Sequence, residues 1–451
     1  MKSELSTIAR HALTVLAGQL AIMAFGVTDT IVAGRYSPAA LAALSVGSAV
    51  FVSVYISLMG ILQALLPLWS EQRGAGQLPA MGRSLRQALY LWLGICVIGM
   101  GVLLSPDAIL RWTDVPEALK EDARHYLAIL AWGLPPAMLF RMYSTLNQSL
   151  GRPQLVTWLQ VGALALKLPL SIWLTFGGAG LPALGVAGCA WATLLVNYTL
   201  LGVGLWLMRT QSLYAPLQLW QRMERPDWGQ LGQFLRLGLP AGMAILVEIT
   251  SFTLVALFVA RQGNLSAASH QIAANIGALC YMVPLSLSIA CSARVSWWRG
   301  AGNEAQARQM VVLGWRLAAL LGLLLGGLLL LGRHWLTSVY TNDPAVAALA
   351  AALLLWVALY QAADAVQCFC IFVLRCYRIT VLPLLTYCVL LWGVGLTGGY
   401  WLAYGGSGPW AGQPTPAPFW AASALALGVT ALTFSALLWR TLRQHRAAHA
   451  S

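Results

Sequence analysis

Three acidic residues stand inside stretches that are otherwise apolar. They are Asp29 in GVTDTIVAG, Glu248 in GLPAGMAILVEITSFTLVALF and Asp364 in ALYQAADAVQC. An acid or a lysine at the centre of a membrane helix costs about 2.5–3.5 kcal/mol on insertion scales, so one that is retained points to an ion or substrate path. In a low dielectric a carboxylate is hard to keep charged; it takes up a proton or is neutralised by a cation. Tyr360 lies four residues before Asp364 and Gln367 three after, which places all three on one helical face. Glu248, Asp364 and the Tyr360 hydroxyl would offer Na⁺ the hard oxygen ligands it favours. The choice between Na⁺ and H⁺ stays open. The plainer account is a structural hydrogen bond for Glu248 and Asp364, and for Asp29 a place near the outer end of its span. Lys167, in VGALALKLPLSIWL, is a fourth intramembrane charge. It either pairs with Asp29, the one acid within a span of the same half, or faces a water-filled cavity alone.

The elements that must hold these residues are membrane helices. The chain has 451 residues, 59% hydrophobic and 9% charged, against about 25% charged in a soluble domain. Residues 36–70, 87–106, 168–208, 262–293 and 379–439 contain no Lys, Arg, Asp or Glu, and a helix needs about 20 apolar residues to span. The two longest runs break at FGGAGLPALG (176–185) and GGSGPWAGQPTPAP (405–418) and so hold two spans each. A membrane barrel would alternate apolar and polar residues in short segments; these runs are continuously apolar. Breaking the chain at its loops predicts an all-α polytopic membrane protein with twelve transmembrane helices. The spans lie near 9–33, 43–69, 87–106, 125–148, 155–176, 186–207, 236–260, 268–293, 310–332, 345–373, 380–404 and 419–439. The acidic stretch Asp107–Asp122 reads as an exposed loop. No cleavable leader is expected.

The net charge of +13 could suggest nucleic acid. Its distribution argues for a membrane instead. With the N-terminus inside, 20 of the 27 Lys and Arg fall in cytoplasmic loops or span ends, Arg86 and Arg375 among them, and six fall outside. That is the positive-inside pattern, and it puts both termini in the cytoplasm. The eight cysteines lie mostly in apolar runs and read as small buried hydrophobes. No metal-ligand spacing occurs, and the absence of His-Glu-x-x-His removes one intramembrane enzyme class. No enzymatic activity and no cofactor is expected.

The chain also repeats. RGAG at 73–76 recurs at 299–302, Arg35 matches Arg261 and Arg152 matches Arg378, all at an offset of 226. Six spans per half make the repeats parallel, with substrate expected between the halves and exposed alternately to each side. The expected lobes are residues 1–207 and 236–439, joined by a polar cytoplasmic linker at 208–235 and followed by a tail at 440–451. The chemistry is not duplicated: at this offset Glu248, Asp364, Asp29 and Lys167 face Ile22, Met138, Val255 and Gly393.

The sequence resembles the multidrug and toxic compound extrusion (MATE) family, NorM-like branch, across all twelve spans. The resemblance is carried by GVTDTIVAG, LPLWSEQRGAGQ, LNQSLGRPQ, RLGLPAGMAILVEITSF, ASHQIAANI, RGAG and LYQAADAVQ. It implies a secondary antiporter that exports cationic amphipathic drugs and dyes in exchange for Na⁺ or H⁺. Family acids fall on Asp29, Glu248 and Asp364, and a cation-site tyrosine on Tyr360. Gln271 and Asn275 match polar cavity positions, with Gln367, Lys167 and Ser171 completing the expected cavity set. Two departures stand out. Residues 11–28 carry no proline before Asp29, and Lys167 and Ser171 take the places of fifth-span asparagines; both turn the expected coupling site towards Glu248, Asp364 and Tyr360. His270 reads as packing at a helix end. The expected setting is a bacterial-type inner membrane, as a monomer with small-molecule partners. A lipid-linked precursor flippase of related architecture is the alternative; it would want a cationic groove, whereas this interior holds three acids and one lysine.

Overall fold

A computed structural model describes residues 2–107, 117–178, 180–405, 409–410 and 415–448. Parts of the expected 107–122 and 405–418 loops, Arg111 included, lie outside the described residues. The helices run α1 Lys2–Tyr36, α2 Pro38–Gln63, α3 Leu66–Gly74, α4 Leu78–Leu104, α5 Glu117–Ser149, α6 Pro153–Phe176 and α7 Val186–Thr210. They continue with α8 Trp228–Ala260, α9 Asn264–Gly300, α10 Glu304–Tyr340, α11 Pro344–Cys376, α12 Val381–Tyr404 and α13 Ala417–Ala448. Helices α2 and α3 form one span, separated by a single turn. Among the described residues, eleven spans are long and apolar enough to cross a membrane. The twelfth, α5, is less apolar because Arg141, Pro135 and Pro136 sit within it. The architecture is all-α, with twelve spans in two parallel six-helix repeats. Several helices exceed the expected spans: α13 continues to Ala448, into the stretch expected to be a tail, and Thr441 and Leu442 are buried there.

The sequence punctuates these helices in recognisable ways. Proline occupies the first turn of α2, α3, α4, α6 and α11, where its missing N–H is not needed. RGAG acts as a helix stop in both halves. Gly76 and Gly302 adopt φ of +71° and +73°. The N–H of the next residue returns to the carbonyl five back, Gln77 to Gln72 and Asn303 to Trp298, as in a Schellman cap. The landmark pair Arg152/Arg378 slips by one. The corresponding left-handed caps are Gly151 (φ +67°) and Arg378 (φ +63°), so by this point the structural register is 227 rather than 226.

The chain folds into two compact units, residues 14–242 and residues 1–13 with 243–451. Both boundaries fall inside helices, α1 and α8. In the first unit α5 packs on α2, α4 and α7, and α6 packs on α7; Leu62, Leu65, Trp69, Met81, Leu134 and Leu146 form its centre. In the second unit α11 is central, against α9, α10 and α13. Its N-terminal segment is tied in by Glu4 of α1, which receives Arg294 Nε at 2.6 Å. Exposed apolar residues such as Leu323, Leu328, Leu331 and Leu432 suit a lipid-facing surface.

The segment between α7 and α8 is strapped to the first unit. Arg86 of α4 is buried and grips Glu224 at 2.7 and 3.2 Å and the Gln218 carbonyl at 2.7 Å. Gln87 bonds the backbone of Arg225 and Asp227, and Tyr214 donates to Asn147 at 2.8 Å. The hydrogen bond from Arg86 holds the Glu224 carboxyl below its ordinary range. A carboxyl so lowered stabilises the strap at neutral pH and loses that contribution as pH falls through its folded value.

Gly302 has open space around the position of a side chain, so an alanine there would meet only the backbone penalty of the left-handed region. Gly302→Ala is expected to cost about 1–2 kcal/mol, read as a lower thermal midpoint in detergent. A midpoint equal to that of the parent protein would refute this account of the RGAG stop.

Candidate functional site

In the unit of residues 14–242, α1 and α6 bring one ion pair into the interior. Lys167 is fully buried and Asp29 nearly so. Nζ stands 2.9 Å from Oδ1 and 3.0 Å from Oδ2 of Asp29. Ser171, one turn beyond Lys167, donates to Asp29 Oδ1 at 3.2 Å. Lys167 also donates to Thr193 Oγ1 of α7 at 2.6 Å. The Phe25 ring, one turn before Asp29, lies 5.8 Å from Nζ. The sequence left two readings for Lys167, and the geometry gives the pair. A buried pair tolerates its desolvation only when the remaining hydrogen-bonding capacity is filled, which is the service Ser171 and Thr193 perform.

The other unit holds the second set. On α11, Tyr360, Asp364 and Gln367 share a buried face. Gln367 Nε2 donates to Asp364 Oδ1 at 2.7 Å, and Gln367 Oε1 in turn accepts from the Tyr387 hydroxyl of α12. Gln367 is thus a relay between acid and phenol. Glu248, on α8, lines a small cavity of about 20 Å³ with Ser251, Phe252, His270, Tyr360 and Trp420. Asp364 lies one turn beyond Tyr360, outside the cavity lining, but within electrostatic range of Glu248. The structure therefore brings Glu248 and Tyr360 to one cavity and stations Asp364 behind it. Gln271 and Asn275 are exposed and hydrogen-bond each other at 3.4 Å; neither lines this cavity.

Several residues of this site escaped the sequence reading. Phe252, Tyr360 and Trp420 form a cluster with ring centroids 5.8, 5.8 and 6.3 Å apart, all edge to face. His270, expected to pack at a helix end, is buried in the cavity wall. Its Nδ1 accepts from Trp420 Nε1 at 3.1 Å, so the neutral ring carries its proton on Nε2. Cys388–Thr397 of α12 winds as π-helical turns, a feature associated with functional sites. Leu391 from these turns lines the cavity. Trp392 Nε1 donates to the Val247 carbonyl at 3.2 Å, fixing the backbone next to Glu248. Glycines at 393, 395, 398 and 399 were the only sequence sign of this irregular stretch.

Chemically, a carboxylate beside three aromatic rings suits a cation. The carboxylate supplies charge, and the ring faces add cation–π attraction, about 2 kcal/mol or more where water is excluded. Glu248 and the Tyr360 hydroxyl offer hard oxygens to Na⁺, and either carboxylate can carry a proton. Among the described residues no cluster of three or more His, Cys, Asp or Glu could hold a metal ion.

Comparison with known proteins gives one consistent picture. The family model MatE matches residues 15–173 and 240–401. A probable multidrug resistance protein NorM of Aromatoleum aromaticum is 37% identical over 434 residues, 96% of this chain and 94% of that protein. The multidrug resistance protein PmpM of Pseudomonas aeruginosa is 34% identical over 448 residues, 98% and 93% of the two chains. Among solved structures, the eukaryotic MATE transporter AtDTX14 superposes with a TM-score of 0.86 at 18% identity, covering 99% of both chains. The Vibrio cholerae MATE transporter VcmN in its bent form gives 0.84 at 17%, covering 98% of both.

The Asp29–Lys167 pair makes a direct prediction. Removing one partner of a buried pair costs roughly 3–5 kcal/mol, so Asp29→Asn and Lys167→Met should each lower thermal stability sharply. The double variant should lose less than the two losses combined. Strict additivity in the double-mutant cycle would mean that the two charges do not support each other.

Proposed function

The chain belongs to the MatE family, and from that premise we propose that it is a multidrug efflux antiporter, exporting cationic amphipathic compounds in exchange for Na⁺ or H⁺. The carrying observation is the placement of Glu248 on an aromatic-walled cavity, with Asp364 one helical turn behind Tyr360. The multidrug resistance names of relatives at 34–37% identity support the efflux reading.

In this reading Glu248, Asp364 and Tyr360 form the coupling site. Gln367 and Tyr387 hold the Asp364 carboxyl in place from behind. Occupation by the coupling ion neutralises negative charge next to the cavity and so weakens its hold on an organic cation. Emptying the site restores that hold. Binding of the two cations is thereby made antagonistic, and antiport needs only that the empty and occupied sites be exposed to opposite sides of the membrane. The two lobes, residues 1–207 and 236–439, work as an alternating-access pair that exposes the bound cation to each side of the membrane in turn. Gln271 and Asn275 contribute polar contacts to the substrate from α9. Asp29 plays another part: held by Lys167, it organises the interior of its unit and carries no ion through the cycle. The chain works as a monomer in a bacterial inner membrane, with both termini in the cytoplasm; the concentration of arginine at one set of loops supports that orientation.

The test is ethidium efflux from proteoliposomes under an imposed Na⁺ or pH gradient, in the parent protein and Asp364→Asn. Efflux by the parent should respond to one gradient, which identifies the ion. Asp364→Asn should lose at least about tenfold of that response, the loss of one positioned charge of order 1.4 kcal/mol. Full retention of the response to both gradients would remove Asp364 from the mechanism.

A further inference from the structure

Arg375 ends α11 and is counted, from sequence, among the cationic residues at the cytoplasmic ends of spans. The structure keeps it at the span end but buries its side chain. Its side chain is 3% exposed. Its guanidinium lies 4.7 Å from the ring of Phe372, one turn back towards the helix N-terminus. The side chain therefore folds inward along α11, in the direction of Asp364, and does not reach out to the interface. Eleven residues separate Asp364 from Arg375; at 100° per residue the two differ by only about 20° around the helix, three turns apart. They occupy one buried stripe, with Gln367, Cys368 and Phe372 between them.

The surroundings of Arg375 are polar but do not satisfy it. Its Nη1 is buried without a hydrogen-bond partner. Beyond contact distance, Glu248 of α8 lies within its electrostatic reach. Tyr387 is the phenol that closes the Asp364–Gln367 relay, and Tyr281 accepts from Cys368 at 3.8 Å. An arginine with an unpaired buried N–H is expensive. A contact ion pair would remove that expense, as it does for Lys167 in the other unit. Here the charge lies on the stripe of Asp364, three turns away, and within electrostatic reach of Glu248, touching neither.

We propose that Arg375 is the resident counter-charge of the coupling site. It offsets part of the negative charge of Glu248 and Asp364 when no coupling ion is bound, and so keeps ion affinity low enough for release. A guanidinium suits this role because it stays charged throughout and its flat face rests on an aromatic ring. Holding it out of contact leaves the carboxylate oxygens free for the ion. Arg375 is in this sense a positioning residue, acting through field and not through ligation, and the inference rests on the coupling site proposed above.

The test measures ethidium efflux from vesicles of phosphatidylethanolamine and phosphatidylglycerol, as a function of Na⁺ and of H⁺ concentration. Removing the positive charge leaves two acids with no internal offset, so Arg375→Gln should bind the coupling ion more tightly. The half-saturating ion concentration should fall about tenfold, the effect of one pKa-unit-sized interaction, with a lower maximal rate as release slows. Arg375→Lys, which keeps the charge, should stay within about twofold of the parent in half-saturation. A purely structural arginine would lower the amount of folded protein without moving the half-saturating concentration, and Arg375→Gln with an unmoved value overturns the proposal. Should Arg375→Gln fold poorly, adding Glu248→Gln removes one negative charge and should restore its thermal stability; a double variant no more stable than Arg375→Gln also overturns it. Loss of gradient response in Asp364→Asn beside an inert Arg375→Gln sinks this inference alone. Retained response in Asp364→Asn sinks the coupling site itself.

Discussion

A charge held in a low-dielectric interior must be offset, and the two units do this by different physical means. In the unit of residues 14–242 a lysine touches its aspartate, and two hydroxyls fill the remaining valences. In the other unit two carboxylates stand without a contact partner of opposite charge among the described residues, and Arg375 is buried against the Phe372 ring. The first arrangement is closed: a mobile cation would have to displace an ammonium already at 2.9 Å. The second is open: one acid faces a cavity, and oxygen ligands remain free. A duplicated backbone thus carries one charge site closed by a contact ion pair and one without such a pair.

The scaffolding follows from this asymmetry. Acids without a contact counter-charge need support from neutral neighbours. Gln367 and Tyr387 supply it for Asp364, and Trp392 fixes the backbone beside Glu248. The π-helical turns of α12 are part of that support. A regular helix would place Leu391 and Trp392 about 100° apart in a fixed progression. Wider turns let Leu391 meet the cavity while Trp392 reaches the Val247 carbonyl.

Much of this could be read from the chain because the membrane makes some residue types conspicuous. The acids, Lys167 and the span count stand out against hydrocarbon-like sequence, where every charge is costly. The i, i+3 and i, i+4 spacing around Asp364 correctly put Tyr360 and Gln367 on its face. What was not legible depends on helix rotation and on contacts between distant segments. Trp420 and Phe252 look like any aromatic residues in apolar runs. His270 has the same spacing whether it points at lipid, at a neighbour or into a cavity. The 208–235 stretch reads as a polar linker because it is polar; that its polar groups are consumed by Arg86, Gln87 and Asn147 only the fold can tell.

Arg375 shows the same limit from the other side. Charge counting assigns a span-end arginine to the headgroup region, because the bulk rule for loops is right far more often than not. The rule works by residue position, whereas burial is decided by the direction of a side chain about 7 Å long, and helix geometry aims side chains towards the N-terminus. At the C-terminal end of α11 that direction is inward. An arginine there can lie in the protein interior even though its Cα sits at the interface, and Phe372 one turn back gives its guanidinium a surface to lie on. The corresponding end of α1 runs the other way, so the same side-chain tilt carries a cation out of the membrane. Helix polarity therefore helps decide which span-end arginines can point towards an intramembrane acid, and it favours those at helix C-termini.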